Sequence, residues 1–144
     1  MPYSPLLVQP MREELTSLGV EELRTADAVD QLMTNADGTT LLVFNSVCGC
    51  AAGGARPAIR LALEGGGATP DKVVTVFAGQ DVEATAKARA YIADIPPSSP
   101  SFALFKGGEL VYFVPRHRIE GRSPEAIAQD LGSAFAEHCG VAAS

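Results

Sequence analysis

With 47% hydrophobic and 19% charged residues, a 144-residue chain is long enough to bury one core and too apolar to stay disordered. Its 11 Lys and Arg against 17 Asp and Glu give a net charge of −6, which excludes a broad nucleic-acid or anionic-membrane footprint and leaves room for a local basic patch. The opening "MPYSPLLVQPMREEL" has no basic leader and only a short apolar run, Leu6 to Val8. No stretch approaches a membrane span. A single cytoplasmic domain over residues 1–144 is therefore expected, with its three cysteines reduced at rest and available for chemistry or metal.

In chain order, Pro10 fits a first helical position, and Met11, Leu15 and Leu18 recur at helical spacing before Gly19 ends a short leading helix. "VEELRT" (Val20 to Thr25) reads as a strand, and "ADAVDQLMTN" places Ala28, Val29, Leu32 and Met33 on one helical face. After Gly38, "TTLLVFNSV" has the β-branched and aliphatic density of a buried strand. A helix continues from Pro57 with Ile59, Leu61, Ala62 and Leu63 and closes at "EGGGATP"; "KVVTVFAG" is a second buried strand. Asp81 is placed to N-cap an Ala-rich helix running to about Ile92.

"SFALFKGGELVYFVP" then gives two strands around the turn Lys106-Gly107-Gly108-Glu109. Ser123 and Pro124 start a last helix carrying Ile127, Leu131 and Phe135, with Gly140 as its stop. This order predicts an α/β, thioredoxin-like fold: a central mixed β-sheet flanked by helices, its last two strands antiparallel, with an extra N-terminal helix.

Two cysteines one residue apart, Cys48 and Cys50, stand where the first long strand gives way to a helix. A sulfur there faces unpaired backbone N–H groups and the positive end of the helix dipole, both of which favour thiolate over thiol. Arg56 and Arg60 are candidates for further positive charge on Cys48. A Cys-Gly-Cys disulfide closes a small ring, which predicts an oxidising couple and suits a thiol that attacks another disulfide and is then released by its neighbour. Gly49 fits the unusual link this requires. Two other readings stay open: inert packing, and a metal site joining the pair to His117, His138 or Cys139, though no second Cys-x-x-Cys knuckle is present.

Two further segments belong with the cysteines if the topology is right. Pro100, between Ser99 and Ser101, occupies the place of the cis-proline that faces the cysteine loop in a thioredoxin-like fold. "FVPRHRIEGRSP" carries Arg116, His117, Arg118 and Arg122, and an antiparallel return of the last strand brings this basic loop to the cysteine side. A solvated surface turn is the competing reading of that loop.

Together "NSVCGCAAG", "PPSSPS", "VPRHRIEG" and a final helix ending "EHC" resemble the bacilliredoxin family, thioredoxin-like proteins with a Cys-Gly-Cys motif, over nearly the whole chain. The resemblance implies a thiol-disulfide oxidoreductase that removes bacillithiol, a cysteinyl-glucosamine-malate thiol, from protein mixed disulfides. It makes Cys48 the attacking and Cys50 the resolving thiol, matches Cys139 to a terminal cysteine of no assigned role, and calls for no metal or prosthetic group. Bacillithiol is then the small co-substrate, with Ser99, Pro100, Arg116 and His117 as the substrate-binding candidates and Arg116 with His117 set to receive the malate carboxylates. A general oxidoreductase or isomerase is the alternative. Ordinary thioredoxin fits less well, because the chain has no Trp and Leu42 stands where thioredoxins keep a buried acid.

Overall fold

The strand that leads to the cysteines, β2 (Thr39–Asn45), is buried along its whole length. Leu41 and Val43 face one apolar cluster and Leu42 and Phe44 the other, so alternation is hidden because both faces are covered. The computed structural model describes residues 3–35 and 37–139. Its elements run α1 (Pro5–Thr16), β1 (Glu21–Glu22), α2 (Ala26–Thr34), β2, α3 (Arg56–Glu64), β3 (Lys72–Phe77), α4 (Val82–Ala90), β4 (Ser101–Lys106), β5 (Glu109–Val114) and α5 (Pro124–His138). The predicted order is observed.

One five-stranded sheet has the order β1-β3-β2-β4-β5, with β1, β3 and β2 parallel and β4 antiparallel to both β2 and β5. On one face Ile59 of α3 and Ile127, Leu131 and Phe135 of α5 pack on Leu41, Val43, Phe102 and Leu104. On the other, Val29 and Met33 of α2 and Ala84 and Ala88 of α4 pack on Leu42, Phe44, Val74 and Phe105. The β4–β5 turn works because Gly107 and Gly108 both take positive φ, 60° and 83°. The registers Phe44↔Ser101 and Phe102↔Val114 gather the end of β2, the start of β4 and the end of β5 at one edge of the sheet.

Local expectations need correction in five places. Pro10 lies inside α1, because Ser4 caps the helix by accepting from Leu6 N–H at 3.3 Å and Pro5 takes the first turn. The N–H that Pro10 lacks would have served the Leu6 carbonyl, at an exposed residue where water can substitute. The strand read over Val20–Thr25 shrinks to Glu21–Glu22, since Thr25 is spent as the N-cap of α2, accepting from Ala28 N–H. Asp81 occupies the N-cap position of α4, but its carboxylate turns to Arg12 instead of capping. That helix ends at Ala90, short of Ile92. Finally, helical backbone begins at Gly49 instead of Pro57, passing through a wide π turn over Ala51–Ala55 into α3. The small residues Ala-Ala-Gly-Gly-Ala leave room for that widening. Gly140 lies outside the described residues.

Two buried arginines fasten α1 to the site end of the sheet. Arg12, 3% exposed, binds Asp81 through two bonds of 2.7 and 3.0 Å and Glu22 at 2.7 Å, with its guanidinium 5.2 Å from the Phe77 ring centre. Arg56, 2% exposed, donates to Asn45 Oδ1 and the Ser46 carbonyl and sits at ion-pair distance from Glu14. Removing one partner of such a cluster strands the others without charge compensation. Arg12→Ala is expected to lower stability by about 2–3 kcal/mol, reduced from the fully buried case because Glu22 and Asp81 keep some contact with water. The measurement is a urea titration, in which the midpoint falls at unchanged slope.

Candidate active site

Cys48 follows the end of β2 by three residues and serves as the N-cap of the helix that begins at Gly49. Its carbonyl accepts from the N–H groups of Ala51 at 2.9 Å and Ala52 at 3.2 Å, while its Sγ accepts from Cys50 N–H at 3.3 Å. The sulfur thus takes the place that a Ser or Asp oxygen usually fills at a helix start. Its approach is fixed from behind: Cys48 N–H donates to Ser46 Oγ, Ser46 N–H to Asn45 Oδ1, and Asn45 Nδ2 to the Met11 carbonyl. Arg56 holds Asn45 and Ser46 from the other side. Close packing under the loop depends on Gly54, where an added Cβ would come 3.3 Å from Ile127 Cδ1.

The two thiols are polarised in opposite senses. Burial alone would push the Cys48 pKa up, but the Cys50 N–H, the Cys50 thiol, the charge of Arg116 and the Ala51 N–H together bring it below the ordinary cysteine value. Cys50 is pushed up, first by acting as donor to the Cys48 sulfur, then by burial and by the Cys48 charge, with Glu120 adding to the effect against Arg116. Arg116 Nη2 lies 3.9 Å from Cys50 Sγ and its Nε is 3.3 Å from Glu120 Oε2, which stands 3.8 Å from the same sulfur. Cys48 is therefore the more acidic of the two thiols and Cys50 the less acidic.

A groove of about 670 Å³ opens beside Cys48, lined among others by Ser46, Val47, Ser99, Arg89 and Arg116. The expected convergence of the cysteines, Ser99 and Arg116 is present, and the Ser99–Pro100 bond is cis. Pro100 is buried just behind Ser99. His117 does not join them. It is exposed and outside the groove, because adjacent residues of the one-turn 3-10 helix Arg116–Arg118 point about 120° apart.

Arg56 and Arg60 also fail to reach Cys48, since the earlier helix start leaves Arg56 about 10 Å along the axis from it. The former is spent on Asn45 and Ser46, the latter on Glu64 at 3.3 Å. Their expected charge comes from Arg116 instead.

Glu120 and Arg89 escaped the sequence reading. A signal for Glu120 was its position four residues after Arg116, an ion-pair spacing; Arg89 offered none, sitting in a basic helix end like any other. Cys139 is buried at the opposite end of the sheet, where burial pushes its thiol up, with Thr39, the first residue of β2, acting in the opposite sense. The length of β2, about 20 Å, separates it from Cys48. Among the described residues no three His, Cys, Asp or Glu side chains converge as a metal site.

Residues 3–139 match the family model described as disulphide isomerase. The chain is 59% identical to a bacilliredoxin of Salinibacter ruber, over 97% of this chain and 83% of that one. It is 58% identical to a bacilliredoxin of Halalkalibacterium halodurans, over 95% and 94% respectively. Among solved structures it is similar to the thioredoxin of Malassezia sympodialis, with a TM-score of 0.55 and 20% identity over 83% of this chain and 90% of that one. Thioredoxin O2 of Arabidopsis thaliana gives a TM-score of 0.54 and 15% identity over 83% and 96%. The solved structures show the thioredoxin fold, and the family model and the relatives at 58% and 59% identity show that the chain belongs to the bacilliredoxin family of thiol-disulfide oxidoreductases.

Proposed function

We propose that this protein removes bacillithiol from protein mixed disulfides in the cytoplasm, without a metal or organic prosthetic group. The observation that carries the reading is the split polarity of the pair: Cys48 Sγ capped by the Cys50 N–H, with the Cys50 thiol held protonated beside it. In the proposed sequence the Cys48 thiolate attacks the bacillithiol sulfur of the mixed disulfide. The old S–S bond breaks, its electron pair leaves with the target protein's sulfur, and bacillithiol is now joined to Cys48.

Cys50 then gives up its proton and attacks Cys48 Sγ, expelling bacillithiol, which takes up a proton, and leaving a Cys48–Cys50 disulfide. A second bacillithiol can instead clear the adduct. Arg116 lies where it favours the Cys48 thiolate, and Ser99 and Pro100 border the approach of the target chain. The family description as disulphide isomerase supports a second reading, exchange among protein disulfides in general.

Intact-mass analysis of the reduced protein separates the two readings. Adduct formation with oxidised bacillithiol is expected to run much faster than with oxidised glutathione, and equal rates would favour the general oxidoreductase. Cys48→Ser should abolish transfer from a bacillithiolated target, whereas Cys50→Ser should still attack and accumulate the mixed disulfide on Cys48. Trapping in the opposite variant would reverse the assignment of roles.

The pH dependence follows from the sign of the Cys48 shift. A lowered thiol pKa means that the reactive thiolate is present below the ordinary cysteine range and is lost only as pH falls through the lowered value. Cys48 alkylation should accordingly rise with pH and level off before a free cysteine does. Arg116→Ala removes a favourable positive charge and should move that plateau to higher pH. An unmoved plateau would show that the helix N–H groups and the Cys50 thiol set the acidity without Arg116.

A further inference from the structure

Among the described residues Arg89 and Arg116 are the charged ones lining the groove beside Cys48, and no Asp or Glu lines it, in a chain whose net charge is −6. Ser98 joins the two. Its carbonyl accepts from Arg89 Nη1 at 3.4 Å, and its hydroxyl accepts from the backbone N–H of Arg116 at 3.3 Å. Their commitments differ. Arg116 is paired with Glu120 and lies against Cys50 Sγ.

Among the described residues Arg89 has no carboxylate within ion-pair distance, whereas Lys87, two positions earlier, pairs with Asp30 at 3.3 Å. The Arg89 guanidinium stacks 5.1 Å from the ring centre of buried Phe44, and the long bond to Ser98 uses one of its five N–H donors. Burial without an anion to offset it pulls its pKa below the ordinary arginine value. A helix carboxyl end favours a cation, which accounts for a basic residue in the last turn of α4. It does not account for a half-buried, unpaired guanidinium facing a groove that holds no acid. The guanidinium rests over the ring of Phe44, and its open N–H groups suit a carboxylate, which a guanidinium can bind through two parallel bonds.

We propose that Arg89 is the anion-binding residue of this groove, taking a carboxylate on the small-thiol half of the disulfide that reacts at Cys48. The inference rests on the exchange reading above, and it moves to Arg89 the carboxylate contact that the sequence suggested for Arg116 and His117. Arg116 then serves the sulfurs while Arg89 selects the substrate.

The test compares two disulfides of different charge, the dicarboxylate 5,5′-dithiobis(2-nitrobenzoate) and neutral bis(2-hydroxyethyl) disulfide, as the ratio of their rates at Cys48. Arg89→Gln is expected to lower that ratio about tenfold, as the loss of one charge-assisted contact implies, and Arg89→Lys to restore part of it. A ratio within about twofold of the unmodified protein's, including equal slowing of both reagents, overturns the proposal.

Succinate, which undergoes no thiol chemistry, separates this inference from the reading beneath it. Titrated by NMR into the reduced protein, it should shift the Arg89 Nε–H signal. If neither disulfide reacts at Cys48 while succinate still shifts that signal, the exchange reading fails and the anion site stands. If exchange proceeds while succinate leaves the signal unmoved, the anion site fails and the exchange reading stands.

Discussion

The bond from the Cys50 N–H to Cys48 Sγ ties local backbone geometry to chemistry. A helix start leaves N–H groups without partners, and most proteins satisfy one with a Ser, Thr, Asp or Asn oxygen. Using sulfur in that role is worthwhile only if the sulfur is charged, because a neutral thiol is a weak acceptor. The cap and the thiolate therefore stabilise each other. Anything that holds the helix start in place also holds the thiol's acidity, which gives the fixation of Asn45, Ser46 and Arg56 behind the loop a functional consequence.

The single-residue spacer follows from the same geometry. With Gly49 as the first helical residue, Cys50 falls at the second, so the residue whose N–H caps Cys48 is also the one carrying the second thiol. Backbone and side chain of Cys50 both lower the acidity barrier of Cys48, and the Cys50 thiol is itself pushed up in return. A longer spacer would divide these tasks between two residues. Here they are coupled, so attack at Cys48 removes its negative charge and with it the main reason for Cys50 to stay protonated. In the proposed sequence, formation of the adduct at Cys48 thus frees Cys50 for the step that clears it.

The sequence carried the order of elements and the meeting of Cys48, Ser99 and Arg116, because these depend on chain direction and on signals with local causes. Apolar runs such as "TTLLVFNSV", the paired glycines at 107 and 108, and Ser123-Pro124 each act within a few residues. What it did not carry was the fate of individual charges. Arg12 carries no signal in the sequence and proves to be a buried anchor, Arg56 reads as a charge for Cys48 and proves to be another, and Asp81 reads as a cap and proves to be Arg12's partner. Each outcome depends on α1 lying across the sheet end, a tertiary placement that no periodicity encodes. The early helix start at Gly49 was hidden for another reason: Ala and Gly in 51–55 carry no amphipathic pattern, and Pro57 offered a stronger local start signal than the one the fold uses.

Charge placement also explains how an acidic protein presents a cationic site. Among the described residues several basic side chains are neutralised where they stand, as with Arg12 by Glu22 and Asp81, Arg122 by Asp130 and Lys87 by Asp30. Arg116 is partly offset by Glu120, and Arg89 by no carboxylate among those residues. The groove beside Cys48 is thereby lined by two arginines and no acid among the described residues, in a chain whose net charge is −6. Under the proposal above, a small anionic disulfide is drawn to this groove, which ends at Cys48. The thiolate's own negative charge would oppose such a substrate, so a cation set apart from the sulfur is needed to offset that repulsion without neutralising the nucleophile. Arg89, held on Phe44 and linked to Arg116 only through Ser98, meets both conditions.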